Sequence, residues 1–140
     1  MNKNNDLQIR YVENTDKSFW FSIDKHISLN EFDKKVRDKQ GYVICVNNEP
    51  VGILRYNLFW DNLPFCTLLY VAEKYRKQGH GKMLMNFWEN EMRLFGYSLI
   101  LVSTRADENA QHFYRKLGYN DCGGLIIANQ ATELFLQKAL

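Results

Sequence analysis

Between Phe65 and Thr104 the sequence switches period twice, and this constrains the fold more than any other stretch. Phe65 to Ala72 is nearly all apolar, as expected of a strand buried on both faces. A polar segment, Glu73 to Gly79, follows. Leu84, Trp88, Met92 and Phe95, with Met83 and Phe87 beside them, then keep to one broad helical face, and Gly96 is the stop signal. Ser98 to Thr104 reads as a second buried strand. A strand, helix, strand run in one sheet is a crossover connection, which commits the chain to a sheet with helices packed on it.

The flanking segments add antiparallel elements. Leu7, Ile9 and Tyr11 alternate with polar neighbours as a half-buried strand. Asp16 to Lys39 carries helical spacing in two segments, Phe19, Trp20, Ile23 and Ile27 in the first, Phe32 and Val36 in the second, with Asn30 as the expected N-cap of the latter. Tyr42 to Val46 and Val51 to Trp60 flank the turn residues Asn47 to Pro50 and read as a hairpin. Asp107 is expected to cap a helix bearing Ala110, Phe113, Tyr114 and Leu117, which Gly118 ends. Strands at about Asp121 to Ala128 and Thr132 to Lys138 close the sequence. The order predicts an α/β (α+β) fold, a central mixed, mostly antiparallel sheet of about seven strands with about four helices, in one domain over residues 1–140.

Composition excludes several classes of function. Hydrophobic residues are 46% and charged residues 24%, which is globular rather than disordered. Eighteen Lys and Arg against sixteen Asp and Glu leave a net charge of +2, too little for the basic footprint of a nucleic-acid binder. No window approaches the ~18 apolar residues of a membrane span, and the opening residues lack an apolar leader, so no membrane partner and a cytoplasmic location are expected. Cys45, Cys66 and Cys122 show no C-x-x-C spacing and are expected as buried, reduced thiols. His26, His80 and His112 lack ligand spacing, so no metal is expected. A homodimer is compatible with this composition.

Chemistry concentrates in the turn Glu73 to Lys82. Gly79 and Gly81 lie among Lys74, Arg76, Lys77 and Lys82, directly before the long helix. Glycines there let a ligand approach the backbone, and the free N-H groups of the helix start, with its dipole, attract an anion such as phosphate. The turn is not a Walker A loop, because Arg76 and Met83 stand where the first glycine and the Mg-binding hydroxyl belong. Nor is it a dinucleotide fingerprint, since Leu84 occupies the third glycine position.

Arg76-Lys77-Gln78-Gly79-His80-Gly81 matches the [RQ]-x-x-G-x-[GA] turn of the GCN5-related N-acetyltransferases. The chain resembles that family further in the Leu-Tyr-Val strand end at Leu69, Tyr70 and Val71, in Tyr75, and in the run Ala110, Tyr114, Leu117, Gly118, Tyr119. The resemblance covers essentially the whole domain. It implies acetyl-CoA as co-substrate and a small-molecule or peptide primary amine as acceptor, the amine attacking the thioester directly. By the same resemblance, Gln78 through Lys82 would cradle the pyrophosphate, Leu69 and Val71 would pair with the pantetheine arm, and Tyr114 would serve the leaving thiolate. Arg76, Lys77, Tyr70, Thr104, Asp107, Asn109 and Ala110 complete the expected cofactor contacts.

Two departures from the family pattern bear on mechanism. Asp107 stands where the family usually has Asn, and a carboxylate cannot donate to a pantetheine carbonyl; Asn109 is the substitute. Phe65 stands where some members place a glutamate base, so the base cannot be carried over from the family; Asp61 acting through water is the preferred base, direct proton loss to solvent from an amine of lowered pKa is the alternative, and Glu73 more readily orders the loop.

Plainer readings stand beside these. Tyr114 also fits an ordinary core stripe, His80 a surface histidine at a helix start, and Thr104 and Ser103 the capping of a sheet end. Trp20, Phe21, Tyr56, Phe59 and Trp60 fit either core or an acceptor pocket. Cys66 has no base near it in sequence and is not expected as a nucleophile. The rival functional reading is a non-catalytic acyl-CoA-binding sensor or interaction module on the same fold.

Overall fold

A computed structural model describes residues 6–140. In chain order the elements are β1 (Leu7–Tyr11), α1 (Lys17–Ile23), α2 (Leu29–Asp38), β2 (Gly41–Val46), β3 (Glu49–Phe59), β4 (Leu63–Val71), α3 (His80–Leu94), β5 (Leu99–Arg105), α4 (Ala110–Lys116), β6 (Asn120–Leu125) and β7 (Glu133–Ala139). Short 3-10 turns occupy Asn14–Asp16 and Glu73–Tyr75. The strands form a seven-stranded mixed sheet in the order β1-β2-β3-β4-β5-β7-β6. β4 and β5, joined by the α3 crossover, run parallel with Phe65 opposite Leu101 and Cys66 opposite Val102. β5 and β7 run antiparallel, as do β6 and β7.

By internal contacts the chain divides into two compact units, and β3, β4 and α3 each contribute to both. The first comprises the residues up to Tyr56 together with Leu68–Phe87. Its core packs Val12, Trp20, Phe32, Val43, Cys45 and Ile53, with the Trp20 and Phe32 rings edge-on at 5.7 Å. Asp24 is buried here, accepting from Trp20 Nε1 at 3.0 Å and from Arg55 Nε at 2.8 Å. Burial works against its charge, yet the Arg55 guanidinium and the Trp20 N-H prevail and hold the carboxyl below the usual range. Ser28, not the expected Asn30, caps α2, accepting the Glu31 N-H at 3.2 Å. Ser28-Leu29-Asn30-Glu31 has the S-x-x-E spacing of a capping box, which favours the earlier start.

The second unit comprises Asn57–Thr67 and Trp88–Leu140. Val102 and Leu136 are register partners on β5 and β7 and both are fully buried. On the same face, Lys138 donates to Glu89 on α3 at 2.7 Å and to the Leu117 carbonyl after α4 at 2.8 Å, so this is the helix-covered face. Residues of the opposite parity, Phe65 and Phe135, stack on the other face at 5.6 Å. β6 is an edge strand exposed throughout; it stops at Leu125 rather than Ala128, and Cys122 within it is exposed rather than buried. Cys45 and Cys66 are buried.

Two other expectations shift for local reasons. α3 ends at Leu94 in a left-handed cap: Gly96 has φ +91, its N-H reaches Arg93 O, and Tyr97 N-H reaches Met92 O. The cap turns Phe95 outward, so it is exposed, while Leu84, Met85, Trp88 and Met92 are fully buried. β4 is not sealed on both faces: every residue from Thr67 to Val71 is half-exposed.

Candidate functional site

The turn between β4 and α3 is built from backbone conformations that expose N-H groups. Lys77 has φ +59 and Gly79 φ +87, following Arg76 in an extended conformation at φ −73, ψ 161, and left-handed residues in a turn are a feature of anion-binding concavities. The first bond of α3 runs from Met83 N-H to Gly79 O at 3.0 Å. Among the described residues, the N-H groups from Lys77 through Lys82 have no acceptor, whereas those of Tyr75 and Arg76 close the preceding 3-10 turn on Ala72 and Glu73. A β-carbon on Gly79 would meet only Met83 Cε, at 4.0 Å, so the space beside it is open. Consecutive unsatisfied donors at the start of a fifteen-residue helix attract an anion through their N-H groups and the helix dipole.

The side chains of the turn are ordered around it. Arg76 folds back, donating its Nε to Val71 O at 2.8 Å with its guanidinium 5.3 Å from the Tyr70 ring centroid. Gln78 donates to Lys74 O at 3.1 Å. His80 is buried, in contrast to the surface reading, because its Nδ1 lies 2.8 Å from Tyr75 O and its ring meets Tyr75 edge-on. Lys74, Lys77 and Lys82 are exposed.

In the second unit, Tyr114 lies on the sheet-facing side of α4 and is only 6% exposed. Its ring meets Phe113 at 5.3 Å and Tyr119 at 5.8 Å, so it is core by packing. Its hydroxyl, however, has no hydrogen-bond partner among the described residues. Burial, then the charges of Cys66, Glu108 and Glu133, push the phenol well above its ordinary pKa, so it stays a proton-bearing donor. Thr104 is 4% exposed, and its Oγ1 is buried without a partner among the described residues. Asp107 is not the helix cap: it is exposed and accepts from Arg105 at 3.1 and 2.9 Å. Asn109 precedes α4 in a helical conformation without a side-chain cap bond, and Ala110 opens the helix.

Asp61 occupies the turn between β3 and β4, exposed, with φ +65. Cys66 pairs with Val102 on the helix-covered side and is buried. Among the described residues no hydrogen bond joins Asp61 to Tyr114. Sequence reasoning missed Glu89, which is 2% exposed and accepts from Tyr119 Oη at 2.8 Å and Lys138 Nζ at 2.7 Å. Its only trace in the sequence is one acidic position on the apolar stripe of α3. Among the described residues no cluster of three or more His, Cys, Asp or Glu is arranged as a metal site, and no helix is long and apolar enough to cross a membrane.

Comparison with known proteins extends this geometry. No curated protein matches the sequence. The fold is that of Ard1 from Thermoplasma volcanium, with a TM-score of 0.83 at 18% identity over 96% of this chain and 97% of that one. The ribosomal-protein-S18-alanine N-acetyltransferase from Escherichia coli superposes with a TM-score of 0.78 at 17% identity, covering 96% and 94% of the two chains. Naa50 from Arabidopsis thaliana, solved with a bisubstrate analogue of CoA and a peptide, gives 0.80 at 14% identity over 96% and 99%. The sequence model described as the Acetyltransferase (GNAT) family matches residues 7–119, from β1 to the end of the Tyr114 to Tyr119 motif, and the chain belongs to that family.

Proposed function

We propose that the protein is an acetyl-CoA-dependent N-acetyltransferase that passes the acetyl group to a primary amine by direct attack on the thioester. The observation that carries this reading is the row of acceptor-free N-H groups from Lys77 to Lys82 in a turn shaped by Lys77 and Gly79. Acetyl-CoA supplies a pyrophosphate for those donors and an activated acyl group. Gln78 through Lys82 bind the pyrophosphate through the backbone, and the exposed Lys74, Lys77 and Lys82 add positive charge.

The half-exposed end of β4, Leu69 to Val71, offers backbone to the pantetheine arm. Within the second unit, Thr104 and Asn109 offer a hydroxyl and a carboxamide to pantetheine, the role Asp107 cannot fill while it holds Arg105. Tyr114 donates its unused hydroxyl proton to the departing sulfur. The amine loses its proton before attack, to water or to a carboxylate on the acceptor side.

The test is a thermal-shift titration with acetyl-CoA followed by CoA-release assays over a panel of amines. A ligand at 100 times its Kd stabilises by about 2.7 kcal/mol, which raises Tm by several degrees. One observation favours the rival sensor reading, the absence of a carboxylate at Phe65 on β4. Stabilisation without CoA release from any amine identifies the sensor; no stabilisation removes both readings.

A further inference from the structure

The sheet face that the helices leave uncovered in the second unit carries an apolar groove of about 650 Å³, the size of a small-molecule site. Phe59, Trp60, Leu63, Leu101, Leu125 and Phe135 line it, and no lining residue is charged. Phe65, the position where a family base would stand, is part of the same aromatic layer, stacked on Phe135 at 5.6 Å and tilted on Phe59 at 6.2 Å. Trp60 is 77% exposed and 4.6 Å from Phe59, a large aromatic surface left to solvent.

One carboxylate borders this layer. β7 runs Glu133, Leu134, Phe135, and the period of two puts Glu133 on the same face as Phe135. Glu133 is half-buried and opposite Arg105 in register, but the Arg105 guanidinium is taken by Asp107 at 2.9 Å and lies 3.8 Å from Glu108. Among the described residues Glu133 has no ion pair and no side-chain hydrogen bond. A carboxylate without an ion pair therefore stands at the end of an uncharged aromatic row, opposite the end of β5 where Thr104 holds its buried, unpartnered hydroxyl. That pattern is complementary to an amphipathic cation, a flat apolar body ending in an ammonium group.

We propose that the acceptor is an arylalkyl primary amine, its apolar body seated over Phe65 and Phe135 and its ammonium drawn in by the Glu133 carboxylate; the ammonium then passes its proton to water, and the free amine forms the C–N bond as the C–S bond breaks and CoA leaves as the thiol. This rests on the acetyltransferase reading and names the substrate class. A polyamine would bury charge against a lining without anions, and a polar peptide would leave its backbone groups unsatisfied on the aromatic face.

The experiment measures CoA release by the intact protein with 2-phenylethylamine, spermidine and the peptide Ser-Gly-Ser as acceptors, with Trp60 emission as a second readout. Trp20 and Trp88 are fully buried, so the exposed Trp60 reports on the groove. The expected result is a kcat/KM for 2-phenylethylamine at least tenfold above the other two, and a saturable emission shift with that amine that is lost in Trp60→Phe. Glu133→Gln is expected to raise KM for 2-phenylethylamine by about 10- to 100-fold, the scale of a lost charge-assisted hydrogen bond, with kcat little changed. Phe135→Ala is expected to raise the same KM while its Tm, measured in parallel, stays above the assay temperature. Preference for spermidine or the peptide, or an unchanged KM in Glu133→Gln, overturns the proposal and leaves the acetyltransferase reading standing. Acetyl-CoA stabilisation without CoA release from any amine overturns both, and so does an absence of acetyl-CoA stabilisation.

Discussion

Tyr114 and Tyr119 meet edge to face with ring centroids 5.8 Å apart, but their hydroxyls have different fates. Tyr119 donates to Glu89 at 2.8 Å inside the core, while Tyr114, also buried, donates to no described residue. A buried phenol ordinarily finds a partner, so the unused donor is the feature that separates a ligand-serving tyrosine from a structural one.

Tyr114→Phe is therefore expected to keep Tm and acetyl-CoA affinity close to wild type and to lower kcat by about 10² to 10⁴, the scale of a lost general acid. Tyr119→Phe is expected to do the reverse. It leaves an oxygen of buried Glu89 without its donor and costs about 1–3 kcal/mol of stability, read by denaturant unfolding. An unchanged kcat in Tyr114→Phe would make Tyr114 core only.

Gly79→Ala tests the anion site. The added β-carbon meets open space, so the stability loss is confined to the left-handed backbone at φ +87, about 1–2 kcal/mol. Acetyl-CoA affinity, measured calorimetrically, is expected to fall by tenfold or more, because the β-carbon stands beside the N-H groups that the pyrophosphate must approach. Equal affinity in the folded variant would remove the phosphate assignment.

Asp61→Asn separates two routes for the amine proton. Asp61 lies in the exposed turn between β3 and β4. Its replacement is expected to leave the height and the acidic limb of the kcat/KM profile against pH unchanged. A lowered or shifted acidic limb would restore Asp61 as the base acting through water.

Asp24 makes stability pH-dependent. Its carboxyl is held below its unfolded value, so the stabilisation is present above a pH of about 4 and is lost as pH falls through the lower, folded value. Asp24→Asn is expected to flatten the decline of unfolding free energy below about pH 4. Asp24→Ala, which removes the buried carboxylate that accepts from Arg55 Nε and Trp20 Nε1, is expected to cost about 3–5 kcal/mol at neutral pH.

Element order follows from local apolar period, so the β4, α3, β5 crossover and the closing pair of strands are legible in spacing alone. The glycine-containing basic turn before α3 is legible in the same way, since Gly79 and the basic residues around it are contiguous. What the sequence left open depends on which distant groups meet. Asp107 caps by residue type but pairs with Arg105 once β5 delivers that guanidinium beside it, and His80 is polar by type yet buried by its bond to Tyr75 O. Tyr114 and Tyr119 are both tyrosines of one motif, and only the folded position of Glu89, on a different helix, decides which hydroxyl is left free for a ligand. Glu133 likewise draws no attention in the sequence. Its place beside Phe135 on the uncovered face, with Arg105 held elsewhere, exists only when β7 is set in register against β5, because a hydrogen-bonded ladder joins residues that the chain keeps far apart.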